Sequence, residues 1–446
     1  MIMSGKIFNR ILLCAALIAG ASFGAHAQAN TSFAPYSIFG VGDLATPGTA
    51  YNKSMGGVGI ANRNNAYINI TNPAAITARD SLAFMADFSL YGENKLFEQG
   101  DINSVNNTFN INDCVISFPI YRSSAVMLGI TPYSGTGYSY NYKYSDPAII
   151  GRTGNINYSA TGQGAIYQLF GAAAVTFWKR LSLGAEAIYY FGETEKNYYG
   201  TFSDASYNGV KNGFDLQLHS LSGKFGVQYE QPVGDNGRLT LGATYTMGTD
   251  LKGTVEEFSF SSGTAVSDTL KYSIDTLANN PGRVSLAGEI GVGVCYRHSD
   301  KWMVEFDYTR SDWRGTGLDK MGGFMGNKVS SSSTSVFSTT VSQAFRLGFE
   351  IIPNRNDIRY YLKTVTYRGG AYYKNEYYLL DGQQIYSMGI TLGATLPVFQ
   401  GHNGLSLGVD IGQRGTLSAN LIRERYINFS VGINIFDIWF RKTQYR

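Results

Sequence analysis

Residues Ile427 to Ile435 read Ile-Asn-Phe-Ser-Val-Gly-Ile-Asn-Ile, large apolar side chains alternating with small or polar ones. Successive side chains of a β-strand point to opposite faces, so this run predicts a strand with one apolar and one polar face. The pattern recurs upstream. Leu405, Leu407, Val409 and Ile411 alternate with Ser406, Gly408, Asp410 and Gly412. Met388, Ile390, Leu392, Ala394 and Leu396 alternate with Ser387, Gly389, Thr391, Gly393 and Thr395. Trp302, Val304, Phe306 and Tyr308 alternate with Met303, Glu305, Asp307 and Thr309. Such period-2 runs build either a soluble sandwich or a membrane barrel.

The spacing between runs decides. Fourteen strand-like runs follow Leu82, and their connections alternate long and short. Short connections are expected at Tyr121 to Ser124, Lys179 to Arg180, Val233 to Gly237, His298 to Lys301, Pro353 to Asp357 and Phe399 to Gly404. Long ones are expected near 92–106, 132–163, 193–214, 252–282, 313–338, 375–383 and 413–423. An even strand number with short periplasmic turns and long outward loops is the layout of a bacterial outer-membrane barrel. A sandwich of this length would be about twice the usual domain size. The expected fold is therefore all-β, a 14-stranded antiparallel transmembrane β-barrel over residues 81–446. Trp178, Trp302 and Trp439 fall at predicted periplasmic strand ends beside Lys179-Arg180, Lys301 and Arg441-Lys442, as suits rings at a headgroup boundary. Alternation slips at His219 to Leu221 and at Phe436-Asp437, which predicts a β-bulge at each.

The N-terminus has its own logic. Lys6 and Arg10 precede the apolar run Ile11 to Phe23, which ends at Ala25-His26-Ala27. A charged region, a short apolar region and an Ala-x-Ala site predict a secretory signal peptide over residues 1–27. Leu13 before Cys14 is not the small residue that a lipoprotein signal needs. Removing Lys6 and Arg10 lowers the formal charge from +3 to about +1, which offers nothing to nucleic acid. Aromatics at 14%, with 32 Tyr and 53 Gly, are heavy for a soluble domain but suit a curved, closed sheet with interfacial rings. Cys114 and Cys295 fall on opposite faces of the predicted wall and read as buried thiols rather than a disulfide.

Residues 28–80 break the alternation. They include Lys53-Ser54-Met55-Gly56-Gly57-Val58-Gly59-Ile60 and Asn72-Pro73-Ala74-Ala75-Ile76-Thr77. Three glycines disfavour a helix, and Pro73 fixes φ and lacks a donor. A compact irregular segment ahead of a barrel predicts a plug. This Gly-rich segment followed by Asn-Pro-Ala-x-Ile-Thr resembles the start of the FadL-type long-chain fatty-acid transporter family. The resemblance implies that residues 28–80 fold into the barrel as a hatch. Met55, Gly56, Gly57, Gly59, Asn72, Pro73 and Ala74 would then be its gate.

Inward-facing charges are expected at Asp87, Glu186, Lys224, Glu230, Glu289 and Asp410, with Glu305, Asp307, Arg346, Glu350 and Arg368 as a lumen network. If the ninth and tenth strands pair around Trp302 and Ile352, Glu305 and Asp307 lie near Arg346 and Glu350. Such charges bond to one another and to plug backbone, or they form a polar path. The mature chain keeps His219, His298 and His402, the last two in short turns away from the outer leaflet, so no catalytic set is expected. No metal spacing or phosphate loop is present, and Gly56-Gly57-Val58-Gly59 lacks a dinucleotide context. No cofactor is expected.

The outward loops are rich in Tyr, Gly, Ser and Asn, as at Tyr133 to Tyr142, and Ser330 to Ser335 reads as exposed loop or strand extension. They suit ligand capture, protein docking or simple solvation. By the resemblance, the leading expectation is passive uptake of hydrophobic or amphipathic small molecules across the Gram-negative outer membrane, whose lipids surround the barrel. The alternative is a non-transporting subunit of an outer-membrane protein complex for secretion, surface attachment or barrel assembly. Its partners would then be other outer-membrane proteins.

Overall fold

Rows of β-branched and aromatic residues on one face and small or polar residues on the other close here into a wall of fourteen antiparallel strands. The computed structural model describes residues 32–79, 82–121, 123–143, 147, 150–151, 154–204, 206–261, 267–274, 283–326, 337–398 and 403–438. The predicted signal peptide, Cys14, Ser330 to Ser335, His402, Trp439 and Arg441-Lys442 lie outside these residues, as does most of the predicted turn Phe399 to Gly404.

The strands are β1 (Ala83–Gln99), β2 (Ile102–Tyr121), β3 (Ser124–Lys143), β4 (Ile156–Phe177), β5 (Leu181–Phe202) and β6 (Val210–Val233). Two interrupted strands follow, β7 (Gly237–Thr246, continued by Lys252–Ser261) and β8 (Ser267–Ser273, continued by Glu289–His298). Then come β9 (Trp302–Asp312) and β10 (Phe337–Thr339 and Val341–Ile351). The wall ends with β11 (Thr366–Leu380), β12 (Gln383–Pro397), β13 (Gly404–Arg414) and β14 (Arg423–Ile438). Pairing of β1 with β14 from Ala83↔Ile438 to Glu98↔Arg423 closes the barrel.

The face assignments hold. Val304 and Phe306 are exposed on the outside of β9, while Met303, Glu305 and Asp307 are buried inside. On β14 Ile427, Phe429, Val431, Ile433 and Ile435 face out, and Asn428, Ser430 and Asn434 face in. Cys114 and Cys295 are both free thiols, but only Cys295 is buried as expected; Cys114 is exposed, because it lies on the outward row of β2.

Several expectations are corrected. The long connections near 92–106, 132–163, 193–214, 252–282 and 375–383 are largely strand: β1 and β2 meet at a turn of two residues, as do β11 and β12. The strands overshoot the bilayer, where both faces carry polar or aromatic residues and the alternation that marks a strand disappears. The bulge predicted at His219 to Leu221 is not in the pairing of β6 with β5, which is unbroken there, but the pairing of β6 with β7 shifts by one residue between Lys224↔Thr246 and His219↔Lys252. What also changes is which face is apolar. Leu216 and Leu218 point inward to a core shared with Leu251, Val255 and Phe324, whereas Leu221 and Phe225 point outward. Phe436-Asp437 is not a bulge: Phe436 simply turns inward at the rim, opposite Met85. The expected tight turn at Pro353 to Asp357 is a longer excursion that includes a 3-10 turn at Tyr361–Lys363.

Bulges do occur at Ser89/Leu90 between β1 and β2 and at Pro132/Ser134 between β3 and β4. Between these two sites the wall parts. β2 pairs with β1 as far as Ile102, and β3 pairs with β4 as far as Lys143. β2 and β3 pair with each other only from Tyr121↔Ser124 to Cys114↔Ile130. Their outer halves diverge.

Candidate functional site

The segment 32–79 lies inside the wall and is built from short, capped pieces. Thr49 and Asn52 form a reciprocal capping box on the single helical turn Ala50–Lys53. Asn72 caps the next piece, Pro73–Thr77, by accepting from the Ala74 amide at 3.0 Å. Between them Gly56 and Gly57 adopt φ of 72° and 76°, a region that side chains disfavour.

The wall receives this segment with carboxylates and glycines. Asp307 Oδ2 accepts from the amides of Gly59 at 2.8 Å and Ile60 at 3.0 Å, and Glu305 Oε1 accepts from the Ala61 amide at 2.9 Å. The Gly56 amide donates to Thr391 Oγ1 at 2.7 Å. Asn72 Nδ2 and Gln228 Nε2 both donate to the Ile60 carbonyl, at 2.8 and 2.9 Å. Asn434 Nδ2 donates to Ala66 O at 2.6 Å. Hydrogen bonds in a low-dielectric interior are stronger than in water, so the three amides held by Asp307 and Glu305 fix the glycine turn firmly. Opposite Met55-Gly56 stands Gly370, and opposite Asn72-Pro73 stands Gly226, where a Cβ would lie 2.9 Å from Pro73 Cδ and collide with Asn72 Oδ1.

The expected lumen network is thus only partly brought together. Asp307 and Arg346 are register partners, but Arg346 donates to Thr309 Oγ1 at 3.2 Å. Glu350 lies opposite Met303 and pairs with Arg297 at 3.0 Å, while accepting from the Tyr51 hydroxyl at 2.8 Å. Arg368 lies 4.6 Å from the centroid of Tyr51, which stacks on Tyr67. Arg297 was legible, since it continues the inward row Gly291, Gly293 and Cys295 of β8 against Ile290, Val292, Val294 and Tyr296, whereas Tyr51 was missed because it sits in no run that marks its face. Arg63, which donates to Ser182 Oγ at 2.8 Å and Gln228 Oε1 at 3.1 Å, was missed for the same reason. Met55 and Ala74 are fully buried.

A second charged group holds the start of the segment. Lys95 Nζ is 3.0 Å from Glu93 and 3.6 Å from Asp43, and Arg414 pairs with Asp43 and, at 2.7 Å, with Glu424. Here Asp43-Leu44 forms two antiparallel pairs with Gly135 and Ser134 on the inner edge of β3, where β2 has left it. The Ala34 amide adds a bond to Gly137 O at 2.8 Å.

A cavity of about 310 Å³ lies outward of the glycine turn and is lined by Lys53, Glu93, Lys95, Arg346, Asp410 and Arg414, among others. It reaches the parted wall, touching Asn110, Ile111 and Asn112 on β2 and Pro132 to Gly135 on β3. Ile111 belongs to the outward row and is half exposed, so the cavity lining reaches a residue of the lipid-facing row. At about 3.3 Å per residue and a tilt near 45°, Ile111 stands roughly 23 Å above the inner rim, close to the top of the apolar band. Among the described residues no group of His, Cys, Asp or Glu is arranged to hold a metal.

Solved structures share this architecture. The toluene transporter TbuX of Ralstonia pickettii aligns with TM-score 0.56 and 15% identity, covering 86% of this chain and 97% of that one. The CymD monoaromatic hydrocarbon channel gives 0.55 and 12%, covering 89% and 98%. A Pseudomonas aeruginosa FadL homologue gives 0.54 and 13%, covering 88% and 98%. The FadL-like fold expected from the sequence is therefore present, and the chain is an outer-membrane β-barrel of that kind. Among curated proteins no sequence matches the chain. A protein-family profile described as BamG matches residues 7–446, nearly the full length, and on that evidence the chain belongs to the BamG family.

Proposed function

We propose that this barrel takes up hydrophobic or amphipathic small molecules, of fatty-acid type, through the side opening between β2 and β3. Residues 28–80 act as its hatch, and Met55, Gly56, Gly57, Gly59, Asn72, Pro73 and Ala74 form the part that moves. The observation that carries this reading is the parted wall, which brings lipid-facing Ile111 to the edge of an internal charged cavity. Proteins of similar fold are described as toluene transporters and a monoaromatic hydrocarbon channel. An amphipathic molecule fits the site's chemistry: an apolar tail leaves the bilayer past Ile111, and a polar head meets Lys53, Lys95 or Arg346. Onward passage requires Asp307 and Glu305 to release their amides, so the ligand must bind the released arrangement more tightly.

A second reading, a non-transporting subunit among other outer-membrane proteins, is favoured by the floor of the cavity. Lys53 to Ala61 is stitched directly to the wall, and the lining sets charges such as Lys53, Glu93, Lys95 and Asp410 among its apolar residues. Membership of a family whose name differs from that of the transporters points the same way.

One experiment separates them. The tagged native protein is purified in mild detergent, and lipid extraction and mass spectrometry are run on the same sample. A second sample carries Leu44→Cys and Ser134→Cys, register partners whose disulfide would hold the segment across the opening. Uptake predicts a co-purifying apolar or amphipathic ligand that falls several-fold in the locked variant. A stoichiometric set of envelope proteins with no ligand supports the second reading.

A further inference from the structure

At the inner rim the described connections are tight, except for the one between β10 and β11. Residues 352–365 form an ordered excursion there. The Asp357 carboxylate accepts from the amides of Arg359 at 2.9 Å and Tyr360 at 2.8 Å, and the Asn354 amide donates to Lys363 O at 2.8 Å. Two tyrosines aim the loop. The Tyr361 hydroxyl donates to Pro397 O at the end of β12, and the Tyr367 hydroxyl donates to Leu362 O, each at 3.0 Å. Tyr367 belongs to the outward row of β11, so the loop is folded back over the lipid-facing wall rather than across the barrel mouth.

What it presents is amphipathic. Ile358 is fully exposed and Leu362 is 69% exposed, with Tyr360 and Tyr361 about half exposed. Arg359 and Lys363 flank the Tyr360 ring at 5.2 and 4.7 Å. Arg355, Arg359 and Lys363 face a single acid, Asp357, within residues 354–363.

We propose that residues 354–363 bind anionic phospholipid headgroups of the inner leaflet, anchoring the barrel at that depth. Two observations select lipid as the occupant. The loop is continuous with the apolar wall that already meets acyl chains, and its basic excess matches headgroup phosphate. Ile358 and Leu362 enter the boundary between headgroups and chains, while Arg355, Arg359 and Lys363 lie along the phosphates and Tyr360 bridges the two.

The test uses the full-length barrel reconstituted in vesicles of phosphatidylcholine with or without phosphatidylglycerol. A spin label is placed at Ile358→Cys in a background with Cys114→Ser and Cys295→Ser. The expected result is greater access for oxygen than for a water-soluble nickel relaxant, with the preference strengthened by phosphatidylglycerol. Native mass spectrometry of the same barrel should retain phosphatidylglycerol over phosphatidylcholine about tenfold. Arg355→Gln, Arg359→Gln and Lys363→Gln together should abolish that preference while leaving the heat-modifiable gel shift of the folded barrel unchanged. Water-like access at Ile358, or equal lipid retention in the triple variant, would overturn the proposal. So would a label protected only in native membranes, with a cross-link to another envelope protein.

Discussion

Asp307 shows how a single residue was half readable. Its place in the alternation of β9 marks it as inward, and a buried carboxylate needs donors. Those donors are two amides of a glycine turn some 250 positions earlier, and nothing in strand periodicity encodes that register. Glycines of the wall were equally silent. Gly226 reads as a weak spot in a strand, yet it is where Asn72-Pro73 docks. A side chain there must push the segment away, and overpacking of this kind costs about 1–3 kcal/mol. Gly226→Val is therefore expected to lower the denaturation midpoint in detergent and to expose residues 62–79 to protease. An unchanged cleavage pattern would show that this contact does not hold the segment.

At the scale of elements, strands were legible wherever lipid lies on one side and polar interior on the other. They were illegible above the membrane, where the Tyr133 to Tyr142 stretch runs as strand with its residues 134–138 buried. Phe306 on β9 exemplifies the legible part: placed against lipid, Phe306→Arg should destabilise the barrel by about 2–4 kcal/mol in vesicles, read by urea unfolding. A neutral outcome would remove Phe306 from the lipid face. The loop 354–363 was mistaken for a short turn because Pro353-Asn354 begins one. Its order rests on Asp357, whose carboxyl is held below its ordinary range by the Tyr360 and Arg359 amides and by Lys363. A depressed value means that the contribution is present above the ordinary carboxylate range and fades as pH falls below about 4. A spin label at Ile358→Cys should thus gain mobility on acidification to about pH 3, and Asp357→Asn should reproduce that mobility at pH 7.

Across the whole molecule, residues near the start are tied to strands near the end. The Tyr36 hydroxyl bonds Ile422, 386 positions away, and Asp43 pairs with Arg414, 371 positions away. Contacts this remote form late, because the loop entropy must be met before they return anything. The first part of the chain to be exported therefore waits, unsatisfied, for the last. Closure of β1 on β14 and capture of the N-terminal segment become one kinetic event: a barrel sealed empty could not be threaded afterwards. Time-resolved refolding should show the gel shift of the closed barrel and protease protection of residues 32–79 rising with a single rate.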